Sequence, residues 1–151
     1  MAFFLGLVSI TALLYGAGWI FNSPYLLTTQ HDALLATTIM FVMIGFVHLR
    51  KPEQLTYMIA NFLPNARTII LLSGLAEIGL GLGLLFSETR FWAAWGLIIL
   101  LIGLFPANIN VAVNQLPPPG GLPAKPWYVW SRLLFQPIYI FWIWYAALSN
   151  G

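Results

Sequence analysis

Five apolar runs, Ala2–Phe21, Ala33–Leu49, Thr68–Phe86, Phe91–Val113 and Trp127–Leu148, occupy most of this chain. Each approaches or reaches the roughly 17–25 residues with which an α-helix crosses the hydrocarbon of a bilayer. Only 7% of the residues are charged, against roughly 25% in soluble domains. No soluble fold of 151 residues has enough interior to hide that much apolar surface. The expected fold is therefore all-α: an integral membrane bundle of four to five transmembrane helices plus a short interfacial helix, with residues 1–151 forming one domain.

The first run has the length of a secretory signal but not its flanks. Met1–Phe4 carries no Lys or Arg, and Gly16-Ala17-Gly18 leads straight into Trp19 instead of a polar mature region, so the run reads as a retained helix. The net charge of +2 rests on six basic and four acidic side chains, too sparse for a nucleic-acid footprint. The absence of cysteine excludes disulfides, thiolate catalysis and iron–sulfur ligation within the chain. The lipid bilayer is the expected environment, and no nucleic acid is expected as a partner.

With five spans, Arg50, Lys51, Arg67, Lys125 and Arg132 gather on or near one side, and Arg90 alone lies near the other. Cytoplasmic loops carry the excess of Lys and Arg, so loops 50–67 and 114–127 and the N-terminus are expected in the cytoplasm; the expected location is a bacterial inner (plasma) membrane. Trp92 and Trp95, Trp127, Tyr128 and Trp130, and Trp142, Trp144 and Tyr145 cluster at span ends, as amphipathic rings at headgroup depth do. Between the second and third spans, Leu55, Met58, Ile59 and Phe62 recur at helical spacing while Glu53, Gln54 and Asn61 fall off the stripe. Pro52 suits the first turn of such an interfacial helix and Pro64 its end. The proline-rich stretch from Leu116 to Pro123 reads as a stiff connector.

Glu77 stands in the middle of Thr68–Phe86, 19 residues with no other charge. A carboxylate at that depth costs about 3 kcal/mol on insertion scales, and such groups face the bundle interior with a partner. At 1.5 Å per residue it lies roughly 14 Å in from Thr68. Arg132 and Gln136, four residues apart on one helix face, occupy the matching half of the fifth span, with Asn108 and Asn110 in the fourth and His48 at the end of the second. Arg132 is the long cation able to reach Glu77 from within its own span, so a Glu77–Arg132 interaction is expected, relayed by Gln136 or Asn108. Pro106 frees the carbonyl of Ile102, and Pro137 that of Leu133, adding buried acceptors. On the third span Gly79 and Gly83 form a G-x-x-x-G, and Ser73, Gly74, Glu77 and Gly81 share a face suited to close helix approach. Such a cluster reads either as an internal tie that holds the bundle together or as a ligand or proton site. His48, at a helix end, reads as an interfacial residue that satisfies the helix dipole, and His31-Asp32 as a solvated pair. With His31 on the opposite side and no acidic cluster, no metal or haem site is expected.

His48-Leu49-Arg50-Lys51-Pro52, Leu63-Pro64, Ser73 through Leu85, Leu104-Phe105-Pro106-Ala107-Asn108-Ile109-Asn110 and Arg132-Leu133-Leu134-Phe135-Gln136 together resemble the DoxX-like small membrane proteins. The resemblance covers about Ile39 to Trp144 and leaves Ala2–Phe21 as an addition. It implies a compact helical bundle that accompanies a membrane oxidoreductase as an accessory or quinone-proximal subunit without catalytic activity of its own. Its polar core would position a bound quinone, lipid or other small apolar ligand. Another branch of the resemblance implies a membrane-protein assembly factor. A proton or solute conductor built on Glu77 is a third reading.

Overall fold

The computed structural model of the protein describes residues 2–59, 63–117 and 125–149. Among these the chain is helical throughout: α1 (Ala2–Ile20), α2 (Thr29–Arg50), α3 (Ala66–Gly83), α4 (Ser87–Val113) and α5 (Pro126–Ala147), with 3-10 turns at Pro24–Leu26, Pro52–Gln54 and Thr56–Met58. Helices α1 to α4 are long and apolar enough to cross a membrane. Helix α5 has the length, 22 residues, but Arg132, Gln136 and its Trp and Tyr side chains make it more polar. Pro106 and Pro137 are both accommodated inside continuous helices.

Helix α2 begins ahead of its apolar run because Thr29, Gln30, His31 and Asp32 form a polar first turn, where an acidic residue meets the positive end of the helix dipole. Asp32 is nevertheless not solvated, contrary to expectation. It is fully buried, and neither carboxyl oxygen has a hydrogen-bond partner. The reason is helical phase: Asp32 precedes the fully buried Ala36 by four residues and shares its inward face.

The closest packing in the bundle joins α2 to α3 through glycines. A Cβ at Gly45 would lie 2.6 Å from both the Gly74 carbonyl oxygen and Ile78 Cγ1, and one at Gly74 would lie 2.7 Å from His48 Cβ. The face formed by Ser73, Gly74, Glu77 and Gly81 is thus the one that meets α2, as its small residues predict. The G-x-x-x-G does not act as one interface. Gly83 is the last residue of α3 and sits in the turn into α4, where its Cβ position would lie 3.1 Å from Ala93 Cβ, while Gly79 looks into open space. That turn is closed by Thr89 Oγ1 donating to the Gly83 carbonyl at 2.7 Å and Arg90 Nε donating to the Leu84 carbonyl at 3.0 Å, which satisfies carbonyls left over at the helix end.

Helix α1 packs more loosely, with only Leu7 and Gly18 buried. Phe3 meets Phe41 and Tyr139 edge-on, at ring-centroid distances of 5.3 and 4.9 Å, and Gly6 faces Met40. It therefore starts beside the middle of α2 and runs to the far end, where Gly18 abuts Leu26.

Two apolar clusters fill the bundle. The larger, with Leu34, Phe41, Leu84, Leu97 and Ile143, lies toward the Arg90 end. The smaller joins Leu55 and Ile59 to Ile70 and Ala107 at the other end. The stripe read from Leu55, Met58 and Ile59 therefore does turn inward, but through 3-10 turns in place of an α-helix. Thr56 Oγ1 takes the Glu53 carbonyl at 3.0 Å and Asn110 Nδ2 takes that of Met58 at 2.7 Å, so these acceptors serve side chains and not a helical ladder. Phe62 and Asn61 of that pattern, and residues 118–124 of the proline-rich connector, lie outside the described residues. The aromatic ends divide as well. Trp92, Trp95, Trp127, Trp130, Trp144 and Tyr145 are exposed, whereas Tyr128 is buried and Trp142 donates its Nε1 inward to Thr37 Oγ1 at 3.1 Å.

The glycine seam yields a prediction. Gly45→Ala should lower thermal stability in detergent by about 1–3 kcal/mol, the usual scale of overpacking. Gly79→Ala should be neutral or gain up to about 1 kcal/mol from helix propensity. Equal melting shifts for the two would contradict the seam.

Candidate functional site

Along α2 to α5 the polar residues fall between the two apolar clusters and form two separate groups. The first joins α2 and α3. His48 Nδ1 lies 2.8 Å from Glu77 Oε2, and Ser73 Oγ lies 3.3 Å from the same nitrogen while donating to the Ile70 carbonyl at 2.9 Å. The Glu77 side chain is 5% exposed and that of His48 19%. Local geometry explains the meeting. Side chains lean toward the N-terminus of their helix, so Glu77 leans back over Ser73 and Gly74 while His48 leans toward Gly45. Because Gly45 and Gly74 let the two backbones approach, the short imidazole is long enough to close the gap.

The second group joins α4 and α5. Arg132 Nη2 donates to Asn108 Oδ1 at 2.8 Å, Asn108 Nδ2 to Gln136 Oε1 at 2.9 Å, and Gln136 Nε2 to the Leu101 carbonyl at 2.5 Å. The acceptor is one residue before the Ile102 carbonyl expected from Pro106. Ile102 lies on the outward face of α4, whereas Leu101 packs on the larger apolar cluster.

The expected Glu77–Arg132 interaction is not formed. Among the described residues the close acid–base contacts are His48–Glu77, at 2.8 Å, and the exposed ion pair Arg67–Glu53, at 2.6 Å. Glu77 faces the α2–α3 seam, where its Oε2 contacts His48 without a well-directed hydrogen bond, and Arg132 faces the α4–α5 seam, where Asn108 accepts from it. His48 is accordingly not a dipole-satisfying end residue but the partner of the buried carboxylate. Its position level with Ser73 on an antiparallel neighbour was the available sequence signal. Asn110 stands apart from both groups and tethers the 3-10 segment through Met58.

That segment covers the second group. The Tyr57 hydroxyl donates to the Pro117 carbonyl. Burial raises the Tyr57 phenol above its ordinary range, and the Arg132 guanidinium pulls it the other way. Tyr128 and Tyr139 also lie within electrostatic range of Arg132. Among the described residues no three His, Asp or Glu side chains come together as a metal site. The first group can bind and exchange a proton, since imidazole and carboxylate share one contact, and Ser73 adds a hydroxyl beside them. The second is an amide relay that fixes a cation.

Residues 37–147 match the family model described as Domain of unknown function (DUF8561), and the chain belongs to that family. The match begins within α2 and ends with α5, leaving α1 outside. No curated protein and no solved structure matches the chain.

His48→Leu should destabilise the protein by about 3–5 kcal/mol, because it strands a carboxylate in a buried seam. Arg67→Leu, which opens an exposed pair, should cost about 1 kcal/mol or less. Thermal unfolding in one detergent compares them, and matching losses would remove the buried pair from the account.

Proposed function

We propose that this member of the DUF8561 family is a DoxX-like accessory, quinone-proximal subunit of a membrane oxidoreductase, in which the His48–Glu77 pair receives the polar head of a small apolar carrier. The observation that carries the reading is the 2.8 Å contact between His48 Nδ1 and Glu77 Oε2 within a helix seam of otherwise apolar character. A quinone-type head presents oxygens that accept hydrogen bonds from an imidazole N–H or the Ser73 hydroxyl, and its reduction requires protons that such a pair can supply. The electrons are assigned to the carrier and to a partner enzyme, with this chain contributing binding and proton exchange. The kinship with DoxX-like proteins rests on the residue patterns around His48, Glu77, Asn108 and Arg132 and is an analogy of scaffold, to which function must be added from the site.

For location we propose a bacterial inner membrane with loops 50–67 and 114–127 and the N-terminus on the cytoplasmic side. Arg50, Lys51, Arg67 and Lys125 at helix ends on those loops support this orientation. The second reading, a membrane-protein assembly factor, is favoured by one feature. Gly79 opens outward from α3 and would admit the backbone of a partner helix.

Gentle detergent extraction followed by mass spectrometry tests the choice. The wild-type chain should retain a quinone, and Glu77→Gln should lose most of it while Arg67→Gln keeps it. Stoichiometric capture of another membrane protein, lost in Gly79→Leu and with no carrier in the core, would move the assignment to the assembly factor.

A further inference from the structure

At the opposite end of the bundle from the His48–Glu77 pair, the starts of α2 and α4 and the end of α5 line a half-open cavity of about 610 Å³. Its volume lies within the roughly 300–1,000 Å³ of small-molecule sites. Leu34, Phe91, Trp95, Trp144 and Leu148 form its apolar wall, and Gln30, His31 and Arg90 supply polar groups. We propose that this cavity binds an anionic amphiphile, with an oxyanion head held by Arg90, His31 and the start of α2 and an acyl chain laid along Phe91, Trp95 and Trp144.

The polar part of the cavity centres on Arg90 and His31, since Gln30 spends its Nε2 on the end of α5. Arg90 uses Nε on the Leu84 carbonyl and makes no ion pair within the described residues, which leaves its terminal N–H groups for a ligand. The His31 ring stands edge-on to Tyr25 at 3.9 Å, and its Nδ1 is buried without a hydrogen-bond partner. Thr28 and Ser87, where α2 and α4 begin, both line the cavity, and neither helix start has a side-chain cap. The start of α2 thus directs the positive end of its dipole and uncapped N–H groups at this space, while at the start of α4 the Glu88 carboxylate already takes its own backbone N–H.

Competing acceptors are occupied or turned away. At the end of α5 the Tyr145 carbonyl accepts from Gln30 Nε2 at 3.0 Å and from Ser149 Oγ at 2.9 Å, and the Trp144 carbonyl accepts from the Leu148 N–H at 2.8 Å. Glu88 is exposed, takes the Ser87 hydroxyl at 3.0 Å and its own backbone N–H, and feels the charge of Arg90 from outside the cavity, which neither it nor Asp32 lines. What remains is a cationic head site contiguous with an aromatic wall, and Phe91, Trp95 and Trp144 are each open enough on their outer side to meet a chain lying in the bilayer.

Native mass spectrometry from mixed micelles holding equal amounts of phosphatidylglycerol and phosphatidylcholine with the same acyl chains tests this. The wild type should retain phosphatidylglycerol in preference, and R90Q should cut that preference about tenfold, the scale of one hydrogen bond to a charged partner. R90K restores the charge without the Leu84 bond and should recover most of it. H31L, which leaves the α3–α4 turn untouched, should weaken retention independently of any effect of R90Q on folding. Oleate added as competitor separates the sources. Displacement of the phospholipid assigns the site to free carboxylate amphiphiles, and resistance assigns it to a phosphate head. Equal retention of the two phospholipids by the wild type, or a preference unchanged in both R90Q and H31L, overturns the proposal.

Discussion

The close approach of α2 and α3 at Gly45 and Gly74 makes the rest of this bundle tenable. A carboxylate in the middle of an apolar helix is expensive unless another helix brings a hydrogen-bonding partner to its height. Imidazole is short, and it reaches Glu77 only because no Cβ stands between the two backbones. Larger side chains at the two glycines would remove both the packing and the polar contact, so the seam is at once a structural joint and the frame of the candidate site. The amide relay of Arg132, Asn108 and Gln136 holds α4 to α5 in the same slab, and the two joints stabilise the bundle where apolar packing gives way.

A buried polar pair of this kind can serve stability alone, and the energetics do not separate that role from ligand binding. What distinguishes the His48–Glu77 seam is chemistry that a structural tie does not need. It joins a titratable imidazole to a titratable carboxyl beside a hydroxyl, with the imidazole still partly open. The α4–α5 group has the opposite character, since its amides bond to one another, to the guanidinium and to a backbone carbonyl. One group is poised for exchange and the other for fixing geometry.

Much of the architecture is legible in the sequence because lipid imposes a single length scale on every span. The apolar runs locate five helices to within about four residues, and the largest offsets are at α2 and α4, whose polar first turns, Thr29–Asp32 and Ser87–Arg90, carry no hydropathy signal. The polar residues that matter are also visible, since Glu77, Asn108, Arg132 and Gln136 stand out against hydrocarbon. Their pairing is not visible. It depends on which helices are neighbours and how near they come, and charge complementarity alone favours Arg132 over His48 for Glu77. Asp32 and Trp142 show the same limit in reverse, as a charged residue near a helix start and an aromatic near a helix end would both be placed at the surface by type, yet helical phase turns them inward. The segment after α2 takes 3-10 turns where an α-helix is expected, yet Leu55 and Ile59 of the stripe are buried, because an apolar stripe reports burial whatever the turn.

Tyr57 bridges parts of the molecule that are distant in sequence. Its hydroxyl engages the Pro117 carbonyl and it sits in the field of Arg132, while the neighbouring Met58 carbonyl is gripped by Asn110 of α4. The 3-10 segment after α2 and the chain at Pro117 beyond α4 are consequently tied to each other and are not independent tethers. A protein that grasped either of them from outside would tug on a phenol bordering the arginine relay, which gives the membrane-embedded interior a lever reaching the aqueous face.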